Sequence, residues 1–391
     1  MMRILLAGYN VDTDVLAELK HNQIREDVTP ETISAAYARI SRDQRPIDEL
    51  RKDARVAVSK ARKSNAAIIF KMGHQSIAEH AVFNFDLIGV SRLALEEIEK
   101  FRLCAYTEKS QRYQKLADDF ILPEEVLGTR DQGLFTETII KQNKFYHQLV
   151  GEGIEPEDAR YVTSLATQGQ VGLTINARSL ELLFRRFASH PLAEMRQIGE
   201  AMFNLVEPIA PSIIRYTVAN DYDLKTYLEL RTLSAVPAGR QVERRTQDIK
   251  ITKEIDLVDY TSDADNKILA ALLHTSTSLS YKKCFVKAKK LGAKEKRELI
   301  KTCFQYAEFY DRPLREFEYA DLTYDLVVSA ACFGQLKRHR MATITSQPYD
   351  PDLGVTIPET IKKSKVVKEF NQLIIGTHKG YQQIAGSSSQ A

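Results

Sequence analysis

What the chain lacks narrows its possibilities first. Its four cysteines, Cys104, Cys284, Cys303 and Cys332, include no CxxC spacing, which excludes a zinc ribbon or dithiol centre of the usual form. The start, MMRILLAGYN, has no signal-peptide hydrophobic region or cleavage site, so reduced thiols and a cytoplasmic location are expected. No apolar run approaches the roughly 18–20 residues that span a bilayer, which excludes membrane insertion. Net charge is also scarce: 55 basic against 52 acidic residues leave +3, too little for a nucleic-acid or anionic-membrane surface, so anion binding must be local. The phosphate-loop patterns GxGxxG and GxxxxGK[ST] are absent, as is the nucleophile elbow GxSxG. Any nucleotide or flavin would therefore be held by side chains meeting at a junction of copies or subunits.

What is present is an ordinary globular composition, 43% hydrophobic and 27% charged, over 391 residues; that length predicts two domains. RILLAG is a short apolar run ending in glycine, and Asp12 and Asp14 then introduce the helical spacing of Val15, Leu16 and Leu19. The stretch EIDLVDYTSDADNKILAALL repeats this strand, turn and helix, with Tyr260 answering Tyr9. The chain is internally duplicated. We expect a first unit at 1–218, a polar linker at 219–247 and a second, degenerate and incomplete unit at 248–391, because the second copy runs on much less far past Arg340 than the first past Arg102.

Residues 29–71 read as helical, with basic clusters at Arg51, Lys52, Arg55 and at Lys60, Arg62, Lys63 expected to be solvated faces. Residues 81–87 alternate apolar and polar and predict a strand. A helix is expected over 88–101, with Val90, Ala94, Ile98 and Phe101 on one face. Pro191 should break the helical pattern that follows 180.

Two stretches carry candidate chemistry. Gln335, Arg338 and His339 are spaced i, i+3, i+4 on a helix predicted over 333–340, and their planar cationic donors suit phosphate or an anionic ring. Taken alone, RHR is more often a solvated basic turn. The first copy has Glu97, Lys100, Phe101 and Arg102 in the same places but keeps TEKSQRY, where Ser110, Arg112 and backbone NH groups could cradle a phosphate and Glu108 could accept from a hydroxyl or ring NH. His74, Ser76, Glu79 and His80 approach metal-ligand spacing, but no HExxH or third cluster completes it, so no metal is expected. Cys104 and Cys332 lie among apolar residues and read as buried thiols, not nucleophiles.

Together these stretches resemble the flavin-dependent thymidylate synthases, whose signature RHRxxSxNExSxRY follows a GHxSxxEH turn and an aromatic strand. GHQSIAEHAVFNF, Ser91, Arg92, Glu108, Ser110, Arg112 and Tyr113 match in order. Lys100, Phe101, Ala105 and Thr107 depart from the signature. DARYV (158–162) and TINARSL (174–180), then Arg186, His190 and Glu194, extend the likeness over residues 1–215. The second copy keeps Gln335, Arg338, His339 and Arg340 but has SQPYDP in place of the ExSxRY loop. The resemblance implies an α/β (α+β) fold of two tandem units, each a mainly antiparallel sheet flanked by long helices. It also implies reductive methylation of dUMP to dTMP, with FAD as cofactor and NADPH and methylenetetrahydrofolate as co-substrates. Family sites lie between subunits of a tetramer, so a homodimer of this duplicated chain is expected, with a composite site between copies. That site would bind dUMP through Gln335, Arg338, Glu108, Ser110, Gln111, Arg112 and Arg160. It would bind FAD through Ser76, Arg102, Asn176, Arg338, His339 and Arg340, with Arg186 and Arg338 catalytic. The alternative is a degenerate homologue that binds nucleotide or flavin, or serves as a scaffold, without turnover.

Overall fold

The computed structural model describes residues 2–18, 26–234 and 254–387. Strand β1 (Arg3–Tyr9) leads into the short helix α1 (Thr13–Glu18), and α2 (Glu31–Arg39), α3 (Ile47–Val56) and α4 (Val58–Ala66) form a small bundle around Ala35, Leu50, Ala54 and Ala61. Two arginines of the clusters expected to be solvated are instead used inside this bundle. Arg55 reaches the buried Asp12 at 2.8 Å and Arg62 the buried Glu31 at 2.6 Å, because carboxylates that capping and packing draw inward need a cation.

β2 (Val82–Ser91) outruns the expected end at 87. Gly89, at φ +72, permits a bulge between Ile88 and Val90, and pairing resumes beyond it. The helix therefore starts late, as α5 (Arg92–Ile98), with Ser91 as its cap: Ser91 Oγ accepts from Ala94 N at 3.0 Å. The chain continues through β3 (Cys104–Glu108), α6 (Gln132–Gly151), the single turn α7 (Pro156–Ala159), β4 (Gln168–Asn176), α8 (Ala177–Ala188), α9 (Ala193–Val206) and α10 (Asp221–Ser234). Pro191 falls in the break between α8 and α9, as its sequence predicts. Helix α10 occupies part of the segment expected to be a linker, and residues 235–247 of that segment lie outside the described residues.

The first sheet is fully antiparallel in the order β1-β2-β4-β3. Phe83, Phe85 and Leu87 alternate inward from β2 and are buried with Leu180, Leu183, Phe184 and Phe187 of α8 and Met195, Ile198 and Met202 of α9. Full burial of each such side chain contributes about 1.5–3 kcal/mol, which makes this face the principal source of stability.

β5 (Ile255–Tyr260), α11 (Ala264–Ser276), α12 (Tyr281–Lys290), α13 (Ala293–Phe304) and β6 (Leu322–Leu326) restate the beginning of the chain. β5 pairs antiparallel with β6 as β1 does with β2, and the bulges fall on equivalent residues, between Leu6 and Gly8 and between Leu257 and Asp259. The chain then forms α14 (Ala330–Leu336), the single turn α15 (Glu359–Lys362) and α16 (Val367–Ser387). The fold is α+β and repeated, with antiparallel sheets.

The second compact unit ends at 329, whereas the second repeat is expected to run from 248 to 391. Of the described residues, those up to 234 and those from 330 onward form one unit, and residues 254–329 the other. The reason is packing: Ile361, Val366 and Phe370 are buried against Phe145, Tyr146 and Leu149 of α6, so the end of the second repeat belongs to the core of the first. Among the described residues no helix is long and apolar enough to cross a membrane.

Candidate active site

β3 ends at Glu108, and the turn that follows carries Ser110 and Gln111 past Arg160, just beyond α7. On the other side stands the end of α14. These elements enclose two adjoining hollows that share Arg92, Glu108, Ser110, Gln111 and Arg160. The smaller is closed by Gly334, Gln335, Lys337 and Arg338; the larger extends between the 114–119 loop, Tyr146 of α6 and residues 167–170. Six of the seven residues expected around the nucleotide, Glu108, Ser110, Gln111, Arg160, Gln335 and Arg338, therefore line one cleft.

The cleft floor is charged and closely paired. Arg338 Nη2 lies 2.7 Å from Glu108 Oε2, and Lys337 Nζ lies 3.1 Å from Glu99 and 3.8 Å from Glu108. The side chains of Lys337 and Glu99 are only 3% and 1% exposed, so each charge depends on the other. Burial pushes the Glu99 carboxyl above its usual range, against the pull of Lys337. Beside them Arg92 donates to the Ala330 carbonyl at 2.6 Å, and Tyr349 donates to Glu96 Oε2 at 2.6 Å. Burial also raises Glu96, opposed first by the Tyr349 hydrogen bond.

Arg160 is buried without an ion pair among the described residues; its Nε donates to the Glu157 carbonyl at 3.1 Å. Burial, and then the neighbouring Arg92 guanidinium, lower its pKa. Two cations facing one hollow with too few carboxylates make that hollow receptive to an anion. Thr167 Oγ1, buried in the wall of the larger hollow, has no hydrogen-bond partner among the described residues.

Other expected residues stand elsewhere. Arg112 turns away and pairs with Glu157 at 2.9 Å, so it does not line the cleft. Arg186 is exposed on the last turn of α8, also outside the cleft lining. Arg338, His339 and Arg340 lie past the end of α14 in a turn, not on the helix predicted over 333–340, because ion pairing of Lys337 and Arg338 to Glu99 and Glu108 bends the chain there. Arg340 donates to the Arg102 carbonyl at 3.3 Å, and Arg102 to Thr343 Oγ1 at 3.0 Å; neither has an ion pair among the described residues. His339 is exposed beside them. Asn176 caps α8, accepting from Ser179 N at 2.9 Å, and Ser76 is exposed on the helical turn that packs on α8. Cys104 is buried as expected, but Cys332 is exposed on α14. Glu79 pairs with Arg178, and the His80 ring packs edge-on to Tyr37 at 4.6 Å.

Sequence reasoning misses Lys337, Glu96, Glu99 and Tyr349. A signal exists for two of them. Aligning the repeats on Gln335 to Arg340 sets Lys337 opposite Glu99, a charge reversal between the two copies, whereas burial of Glu96 is visible only in the fold.

A family model described as thymidylate synthase complementing protein matches residues 24–212 and 256–390. A flavin-dependent thymidylate synthase of Geobacter sulfurreducens is 32% identical over 191 residues, 48% of this chain and 81% of that protein. One from Clostridium tetani is 28% identical over 207 residues, 48% of this chain and 82% of that protein. Among solved structures, 55% of the chain aligns with 93% of a UMP/dUMP methylase from Streptomyces cacaoi bound with 5-Br dUMP, at 18% identity and a TM-score of 0.44. The same share aligns with 99% of a Helicobacter pylori flavin-dependent thymidylate synthase complexed with FAD and dUMP, at 17% identity and a TM-score of 0.41. With the family's pattern found twice and spread over most of its length, the chain belongs to the thymidylate synthase complementing protein family.

Proposed function

We propose that the chain is a flavin-dependent thymidylate synthase that methylates dUMP to dTMP at a site composed from both repeats. The observation that carries this reading is the convergence of Glu108, Ser110, Gln111 and Arg160 with Gln335 and Arg338 on one cleft. Arg160 and Arg338 would meet the phosphate with Ser110. The amides of Gln111 and Gln335 each offer a donor and an acceptor for the edge of the pyrimidine. Glu108, gripped by Arg338, would accept from a ribose hydroxyl or ring NH. Arg112 joins this set only by leaving Glu157. Arg186 would reach a cleft only from another copy, which a homodimer reproducing four repeats would provide.

The residues expected at the flavin fit an anionic group with hydrogen-bonding edges. Arg102 and Arg340 are exposed and without an ion pair among the described residues, and His339 and Arg338 adjoin them. Strand register puts Asn176, the end of β4, beside the start of β3 just after Arg102, and Asn176, its oxygen committed to the cap, keeps its amide NH2 for a ligand. When bound, FAD would supply the hydride, recharged by NADPH, while methylenetetrahydrofolate supplies the carbon.

A purified preparation should be yellow with flavin absorbance that dUMP perturbs. Arg338→Ala should weaken dUMP binding roughly 10- to 100-fold, as loss of a charge-assisted hydrogen bond does; unchanged affinity would sink the composite site. The position of Arg186 and the engagement of Arg112 by Glu157 favour a second reading, a homologue that binds without turnover. Binding of FAD and dUMP with no dTMP formed when NADPH and methylenetetrahydrofolate are added would select it.

A further inference from the structure

Aligning Glu97, Lys100 and Arg102 with Gln335, Arg338 and Arg340 makes Arg92 the equivalent of Ala330, Glu96 of Gly334 and Glu99 of Lys337. In the structure three equivalent pairs meet, those of Arg92, Glu99 and Arg102. Arg92 donates to the Ala330 carbonyl, Lys337 pairs with Glu99 at 3.1 Å, and Arg340 donates to the Arg102 carbonyl. Equivalent positions that face one another are the signature of a local two-fold relation between repeats. At such an axis two identical repeats would set Glu99 against Glu99 or Lys337 against Lys337, buried like charges with no water to screen them. The surrounding contacts are one-sided in the same sense. Gly334 leaves room for the Arg92 guanidinium, to which an added Cβ would come within 3.2 Å, where the first repeat has Glu96. Arg338 grips Glu108, whereas the second repeat has no glutamate in the corresponding loop.

We propose that the buried Glu99–Lys337 pair is a pairing code that commits the first repeat to the second repeat of its own chain and excludes the pairing of like repeats, so that one chain assembles the composite cleft by itself. The duplication made this code possible: a single-copy chain has the same residue on both sides of the axis, and only after doubling can the two sides carry opposite charges. The proposal concerns assembly and stands whether or not the cleft turns over dUMP.

Glu99→Lys and Lys337→Glu should each lower the thermal midpoint of the full chain by roughly 5–10 °C, and the double swap should recover at least half of the combined loss. Co-expressing the two single variants should recover nothing, because the chain carrying Glu99→Lys meets the chain carrying Lys337→Glu at this pair only if repeats pair between chains. Unchanged midpoints in the singles, a swap no better than the sum of its parts, or recovery on co-expression would each overturn the proposal. If the reversed variants do not fold, Glu99→Gln, Lys337→Met and their combination close the same cycle without like charges. Their effects should be strongly non-additive, and additivity would count against the pair.

Discussion

At the scale of single residues, His190 shows how burial decides ionisation. Its Nδ1 accepts a hydrogen bond from Leu192 N at 3.2 Å, which requires that nitrogen to be unprotonated, and its Nε2 lies 3.9 Å from Glu97. Burial is the first cause lowering its pKa below 6.5; Lys100 and Arg196 act in the same direction, and Glu97 and Glu125 oppose it. With the folded pKa depressed, the unfolded chain binds more protons below pH 6.5. This residue's contribution to stability is therefore complete above about 6.5 and is lost as pH falls towards the folded value. Glu96 and Glu99, both raised, act in the opposite sense. His190→Asn, which preserves an acceptor for Leu192 N, should therefore flatten the loss of stability between about pH 6.5 and 5. Denaturant titrations of both proteins across that range check it; parallel pH profiles would contradict the assignment. The candidate site was legible at this scale in its identities, since Glu108, Ser110, Gln111, Arg160, Gln335 and Arg338 all reach the cleft. Arg112 stands outside the cleft lining because a nearby carboxylate, Glu157, captures it, and sequence spacing carries no information about that competitor.

At the scale of elements, the junction between β2 and α5 places Arg92 and Leu95 in the cleft lining. Ser91 does two things there: its Oγ caps α5, and it donates to Glu194 Oε2 at 2.6 Å while the Ser91 NH donates to Oε1 of the same carboxylate. Glu194 lies in the first turn of α9, so one serine ties a strand end, a helix start and the covering helix together. Ser91→Ala should cost about 1–3 kcal/mol, more than a cap alone because the half-buried Glu194 Oε2 loses its donor. Chemical denaturation measures this, and a cost below about 0.5 kcal/mol would mean the serine serves only as an exposed cap. The strand and helix types were readable from apolar periodicity, but the boundary was not. Residues 88–91 fit a helical face as well as a strand, and only pairing of β2 across the Gly89 bulge with β4 decides for the strand. The early end of α14 has the same origin, since the ion-pair partners of Lys337 and Arg338 lie far away in sequence.

At the scale of the whole molecule, the C-terminal helices return to the first repeat. Phe370 of α16 is fully buried and packs on Phe145 at a ring separation of 6.5 Å, beside Tyr146, which lines the larger hollow. Phe370→Ala should cost about 3–5 kcal/mol through transfer and cavity terms, and it should raise hydrogen exchange along both α16 and α6. Exchange confined to α16 would show that the cleft wall does not depend on this docking.

The repetition, the strand-turn-helix units at 3–18 and 255–276, the family resemblance and the chemical types gathered at the site are all readable along the chain. These are local or periodic properties, set by side-chain alternation, caps and turn residues within a few positions. Only the packing of the folded chain makes residues 330–387 complete the first unit, leaves Arg112 and Arg186 outside the cleft and brings Glu99 to Lys337. Each of these is a contact between residues distant in the chain, chosen by which buried charge or apolar face has the best available partner, and a single sequence read in order does not rank such partners.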